Sequence, residues 1–354
     1  MLNRNGYTPL YMQFHDLLLG DLVNYPVGSN IPPERALCEK YNLDRITVRK
    51  ALSILAEEGY IERKQGRGTT VLRHEQLRSD RVLFLLCQGA HMVDRLGEPF
   101  YARSLDALEE RLQKMGMHLL YSKFLSGDNL AKLCQSLEAQ AIILAGTPDS
   151  TMLDQCLALK IPIIAYNTYI ESFPSVIVDN DGAAATSSKH LLALGHRRIG
   201  FIHVPGYVNS DKRLTRFKIE IHNAGFNDED LQIEEGDWSE ESGYHAAYRL
   251  LSGDRPKVTA IFGGNDSMAI GALRAAQEMG MRVPEDLSII GFDGNAQSSL
   301  THPMLTTSQV DVNAMAEAAC MLLSHVMANG MCRGIHAMVS TEFLVRGSTA
   351  APRL

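Results

Sequence analysis

The sequence predicts an α/β protein in two unequal parts, a small helical N-terminal module closed by a hairpin and a larger body built on parallel sheets. Three observations carry this. Apolar residues recur at helical spacing before residue 58, and two short β-type runs with a glycine turn follow. Beyond residue 80, buried-type apolar strands alternate with amphipathic helices, the pattern of a parallel sheet covered on both faces. A chain of 354 residues is long enough for more than one core, and its 45% hydrophobic and 21% charged composition excludes disordered, collagen-like and disulfide-stapled classes.

The elements follow in order. Leu10, Phe14, Leu17, Leu18 and Leu22 share one face of a helix from Pro9 to about Val23. A second short helix, Glu34 to Tyr41, opens after Pro32-Pro33, where proline suits a first turn. Asn42-Leu43 is a tight connection, and Asp44 is a good N-cap for a third helix that buries Val48, Leu52 and Leu55 and ends at Gly59. Tyr60–Lys64 and Thr69–Leu72, joined by Gln65-Gly66-Arg67-Gly68, form a hairpin. Helix, helix, tight turn, helix and hairpin make a winged helix-turn-helix, residues 1–72. The charged segment 73–80 reads as a linker, and 81–354 as the body. Its strands are expected at Val82–Cys87, His118–Tyr121, Ala141–Leu144, Ile161–Ala165, Val176–Val178, Ile199–His203, Thr259–Phe262 and Leu287–Gly291, with helices between them.

Charge divides at the same place. Residues 1–74 hold ten Lys/Arg and eight Asp/Glu, a net of +2, and the rest hold 24 and 33, a net of −9, which sum to −7. A mildly basic head on an acidic body points to an appended nucleic-acid module. The third helix turns Arg45, Arg49, Lys50 and Ser53 outward, with Thr47 close by. A major groove admits one α-helix, and arginine reads guanine there through two hydrogen bonds, so this face suits duplex DNA. Arg35 at the start of the second helix can reach phosphate. Gly66 and Gly68 let the hairpin tip approach closely, while Arg63, Lys64 and Arg67 surround it with charge.

The runs Pro32-Pro33-Glu34-Arg35-Ala36-Leu37, Arg45-Ile46-Thr47-Val48-Arg49-Lys50-Ala51-Leu52 and Gln65-Gly66-Arg67-Gly68-Thr69 resemble the GntR-type winged helix-turn-helix. The resemblance implies that Arg35, Arg45, Thr47, Arg49 and Gly66 contact operator DNA. Pro33 stands where that family usually has Ser, so the capping hydroxyl is missing.

Three stretches of the body carry chemistry. The only tryptophan sits in Gly236-Asp237-Trp238-Ser239 beside a helix start. Asn265-Asp266-Ser267 follows a strand and opens a helix, the place where open α/β sheets bind ligands. Arg213 follows the strand Ile199–His203 through a loop containing Pro205 and Gly206. One aromatic face, one carboxylate and one guanidinium suit a polyhydroxylated ring. Leu194-Gly195-His196-Arg197-Arg198-Ile199, Asn265-Asp266-Ser267-Met268-Ala269-Ile270-Gly271 and Ser288-Ile289-Ile290-Gly291-Phe292-Asp293, with Leu305-Thr306-Thr307, resemble the effector domain of LacI-type repressors.

That resemblance implies a two-lobed, periplasmic-binding-protein-like sensor, with lobe 1 at about 81–178 and 308–335 and lobe 2 at about 179–307 and 336–347. It also implies ligand contacts from Arg213, Trp238 and Asp266, with Phe100 or Tyr101 near the first-lobe pocket and Asn167 at the cleft. Gly294 stands where the family often has a second Asp, and Arg216 replaces a usual Gly. The head and sensor together resemble arabinose-type repressors.

The function expected is a transcription regulator, a repressor acting as a homodimer on double-stranded operator DNA under control of a small effector, with a sugar favoured. A purine or other polar metabolite, or control by protein contact alone, are the competing readings. GxxxxGK[ST], GxSxG, HExxH and GxGxxG are all absent, so no enzyme, cofactor or metal is expected. The six cysteines never approach within a CxxC spacing and read as free thiols. No signal-peptide core or apolar run of about 18 residues occurs, which points to the cytoplasm without a membrane span. Segment 73–80 lacks the pattern of a hinge helix, so effector closure of the lobes is expected to act through the spacing of two heads.

Overall fold

The computed structural model describes residues 9–64, 68–72, 80–88, 98–252, 257–330 and 333–353. It separates into two compact units, Met1–Asp80 and Arg81–Leu354. The linker expected at 73–80 lies, but for its last residue, outside the described residues, as do Gln65, Gly66 and Arg67 of the hairpin tip.

In the head, α1 (Leu10–Asp21), α2 (Glu34–Tyr41) and α3 (Arg45–Glu57) precede the antiparallel pair β1 (Ile61–Lys64) and β2 (Gly68–Val71). The Asp44 carboxylate accepts from the Thr47 amide, so α3 starts where its cap dictates. Phe14, Leu18, Leu37, Val48, Leu52, Leu55, Ile61 and Val71 are buried together. At roughly 1.5–3 kcal/mol for each large apolar side chain removed from water, this one cluster gives so small a unit its core.

The body begins with β3 (Asp80–Gln88), α4 (Pro99–Lys114), β4 (Met117–Leu125), α5 (Leu130–Leu137), β5 (Ala141–Gly146), α6 (Ser150–Ala158), β6 (Ile163–Tyr166) and β7 (Ser175–Val178). It continues with α7 (Asn180–Ala193), β8 (Ile199–His203), α8 (Val208–Asn223), β9 (Leu231–Glu235), α9 (Glu240–Leu251), β10 (Ala260–Gly263), α10 (Asp266–Glu278) and β11 (Ser288–Asp293). The last elements are β12 (Thr306–Val310), α11 (Val312–Asn329), β13 (His336–Val339) and β14 (Thr341–Leu344). Two six-stranded sheets result, ordered β13-β7-β6-β5-β3-β4 and β14-β12-β11-β10-β8-β9. The central strands pair in parallel and are buried along their whole length, as strands covered on both faces must be. β14 is antiparallel to its neighbour β12.

The chain passes between the sheets after β7, after β12 and again between β13 and β14. This corrects the sequence expectation for the last two crossings. Residues 336–339 pair with β7 in the first sheet, and 308–310 end a strand of the second. Two four-residue strands separated by Ser340 read as one extended run, and nothing in their spacing marks a change of sheet. Asp179 and Asp311 cap the helices that follow the first two crossings. Cys87, Cys134, Cys156 and Cys320 are buried free thiols and Cys38 is half-buried. No helix among the described residues is long and apolar enough to cross a membrane.

Candidate functional site

The exposed face of the head is organised by one carboxylate. Glu34, in the first turn of α2, accepts from Arg45 Nε at 3.3 Å, from Arg49 Nη2 at 3.4 Å and from Arg63 Nη2. The three guanidiniums in turn hold the Glu34 carboxyl below the usual range, against the opposing effect of its partial burial. Arg45 and Arg49 keep 74% and 58% of their side chains open, so they are aimed without being buried. Arg35 is almost fully exposed and pairs with Glu39. Lys50 Nζ lies 3.6 Å over the Tyr11 ring. Thr47 donates its hydroxyl to Asp44 at 2.7 Å and so serves the α3 cap. Ile46, missed in the sequence, is 81% exposed between Arg45 and Thr47, an apolar side chain of the kind that meets a thymine methyl.

In the body, a cleft opens between the carboxyl ends of the two sheets and is lined by residues of both. The first sheet contributes Glu98, Phe100 and Tyr101 at the start of α4, Gly146 and Thr147 at the end of β5, and Asn167 and Thr168 after β6. Tyr207, Asn209 and Arg213 enter from the start of α8, Trp238 from the turn before α9 and Asp293 from the end of β11. Asn167, Trp238 and Asp293 all have positive φ, at 54°, 77° and 104°. Non-glycine residues rarely adopt this conformation, and such strain collects where a side chain must be presented to a ligand.

Arg213 is 4% exposed. Its Nε donates to Asn180 Oδ1 at 2.7 Å, Nη1 donates to the Gly264 carbonyl, and the guanidinium lies 3.4 Å over the Phe292 ring. Asn180 Nδ2 reaches Asn209 Oδ1 at 3.3 Å, and Asn209 Nδ2 donates to the Asn167 carbonyl at 2.8 Å. One polar chain therefore runs from Arg213 across to the first sheet. Trp238 meets Tyr207 edge to face at 5.3 Å, giving the cleft an aromatic wall.

Comparison with known proteins agrees with this layout. The gntR family of bacterial regulatory proteins matches residues 11–71, and the periplasmic binding protein-like domain matches 188–349. The HTH-type transcriptional repressor PurR of Salmonella newport (strain SL254) is 31% identical over 239 residues, covering 64% of this chain and 70% of that protein. The chain belongs to the LacI/PurR family of transcriptional repressors. Solved structures show the same fold for this LacI-type repressor. A LacI family regulator from Enterococcus faecium with bound ribose superposes with TM-score 0.69 at 23% identity, over 77% of this chain and 100% of that one. The lac repressor dimer bound to operator and the anti-inducer ONPF gives 0.67 at 21% identity, over 77% and 94%.

Phe100, Tyr101, Asn167, Arg213 and Trp238 thus meet in one cleft of the repressor. Two expectations need correction. Arg213 lies in helix α8, not in a loop, because Pro205-Gly206 ends the turn and the helix starts at Val208. Asp266 is absent from the cleft wall: it is fully buried, accepting from Thr307 Oγ1 at 2.6 Å and from the Asn295 amide at 2.7 Å. The carboxylate that reaches the cleft is Asp293, the last residue of β11. Gly294 follows it at φ 64°, and a Cβ there would meet Gln309 at about 2.5 Å, so no side chain fits at this position.

Burial first, and the Asp293 charge second, push the Asp266 carboxyl up to about 8, despite the two hydrogen bonds it accepts. Its folded value lies above the unfolded 3.8, so its contribution to stability is complete below that pH and is lost as pH rises to about 8. His190, His196 and His203, lowered by burial, act oppositely and are spent by their ordinary 6.5. The sensor's melting temperature is therefore expected to fall between pH 7 and 8.5, and Asp266→Asn to flatten that slope. An unchanged slope in calorimetry would place the proton elsewhere.

Proposed function

We propose that this LacI-type repressor is a cytoplasmic, non-catalytic homodimer that binds a palindromic operator through α3 and the hairpin, and that a neutral sugar in the cleft between the sheets controls that binding. The observation that carries the reading is the cleft wall itself, in which the Trp238 indole stands beside Asp293, Asn167 and Arg213. An indole face covers the apolar side of a sugar ring, while carboxylate, amide and guanidinium groups fork its hydroxyls. On the DNA side, Arg45 and Arg49 are exposed one turn apart and held by Glu34. We assign Arg35, Thr47 and Lys50, together with Gly66 and Arg67 of the hairpin, to contacts with the DNA backbone. The ribose bound by the Enterococcus faecium regulator and the operator-bound lac repressor dimer support the sugar and the dimer.

A Ser–His–Asp contact does exist, and its geometry argues against catalysis. His203 Nδ1 meets Ser210 Oγ at 2.9 Å and Nε2 meets Asp211 at 3.2 Å, but Ser210 is fully buried and its oxygen accepts the Val204 amide. No substrate carbonyl can reach that oxygen, so the trio ties the start of α8 to the end of β8.

Thermal-shift screening of the full chain against D-ribose, L-arabinose, D-xylose, cellobiose, hypoxanthine and guanine tests the reading. A neutral sugar is expected to raise the melting temperature, since a ligand that binds only the folded state stabilises it. A shift with a nucleobase and with no sugar would overturn the sugar reading.

A further inference from the structure

Arg103 lies in α4, which packs on the first sheet, yet its guanidinium reaches the second. Nη1 donates to the carbonyls of Asp293 at 3.4 Å and Gly294 at 3.2 Å, and Nη2 to that of Val310 at 3.5 Å. These acceptors are not equivalent pieces of backbone. Asp293 presents its side chain to the cleft at φ 104°, and Gly294 can accept no side chain. Val310 is the last residue of β12, immediately before the chain crosses to the first sheet. The turn is braced from below by Asp266, which accepts the Asn295 amide. From the opposite lobe, Arg103 holds it.

We infer that Arg103 is a positioning residue for the effector cleft: it joins the first lobe to the Asp293–Gly294 turn and to the crossing at Val310, so that Asp293 is presented only while the lobes are together. A guanidinium fork suits this task because its rigid donors can engage several carbonyls at once, where a lysine ammonium on a flexible stem engages fewer. A second polar link across the cleft, Asn209 to Asn167, lies beside Arg213, away from β11. Loss of the Arg103 fork then lets the lobes part on that side and loosens the turn that carries Asp293.

The inference rests on reading the cleft as the effector site, but its test needs no effector. Trp238 is the single tryptophan of the chain, it lines the cleft and it is 5% exposed, so its emission reports the cleft alone. Acrylamide quenching is measured on the full chain for wild type, Arg103→Met, Arg103→Lys and Leu108→Ala. Leu108 is a fully buried residue of the same helix, so its truncation lowers stability without touching the second lobe's turn.

The expected result is a rise of about twofold or more in the quenching constant for Arg103→Met, a partial return toward wild type for Arg103→Lys, and no rise for Leu108→Ala despite its lower melting temperature. Wild-type quenching in folded Arg103→Met, or an equal rise in Leu108→Ala, would overturn the inference. A thermal-shift screen without any hit counts against the effector reading instead, and leaves the quenching result to stand by itself.

Discussion

Arg45→Ala is expected to leave the head folded and to remove specific operator binding. The side chain is 74% exposed, and its partner Glu34 retains Arg49 and Arg63. Its loss therefore costs the core nothing. A bidentate arginine–guanine pair supplies about 1–3 kcal/mol of discrimination, and two heads on one palindrome double that, so affinity for the selected site should fall by about 30-fold to 10⁴-fold. Binding to random duplex should change little, because the remaining cations still meet phosphate. Duplexes selected from a random pool by the purified chain provide the operator for an anisotropy titration. Wild-type affinity in the variant would remove α3 from the groove.

Arg213→Ala is expected to abolish the effector response and to destabilise the sensor as well. The guanidinium is buried, so its removal strands Asn180 Oδ1 and the Gly264 carbonyl and opens a void against Phe292. Each stranded buried group costs about 1–3 kcal/mol, and a total near 3 kcal/mol lowers the melting temperature of a domain this size by about 6–12 °C. Operator binding without effector should persist, since the head is a separate unit. Calorimetric titration with whichever sugar of the panel raises the wild-type melting temperature gives the affinity. Tight binding of that sugar to the variant would misplace the cleft.

The two residues show what could be read from sequence and what could not. The head was legible element by element, because Asp44, Pro32-Pro33 and Gly59 are local signals that local structure obeys. Arg213 was legible as a candidate, but its environment was not. Charged side chains are rarely buried, and a helix opening Val208-Asn209-Ser210-Asp211 after Pro205-Gly206 looks like a continued loop.

Asp266 and Asp293 each stand near the end of a strand, and only the backbone decides between them. Asp266 begins α10 and turns into the packing of β11 and β12, whereas Asp293 ends β11 with positive φ and reaches the cleft. Glu34 and Asn209 escaped notice because their importance lies in partners distant in the chain. Gly294 is the converse case: a departure from the family pattern that the neighbouring Gln309 explains.

The central claim is that a molecule in the cleft changes what the head does on DNA. The most direct test measures the affinity of the full chain for its selected palindromic duplex, with and without a saturating amount of the sugar that raises its melting temperature. A change of about tenfold or more is expected, corresponding to a coupling of about 1.4 kcal/mol, and Arg213→Ala should show none. The same operator affinity at zero and saturating sugar in the wild-type chain would contradict the account.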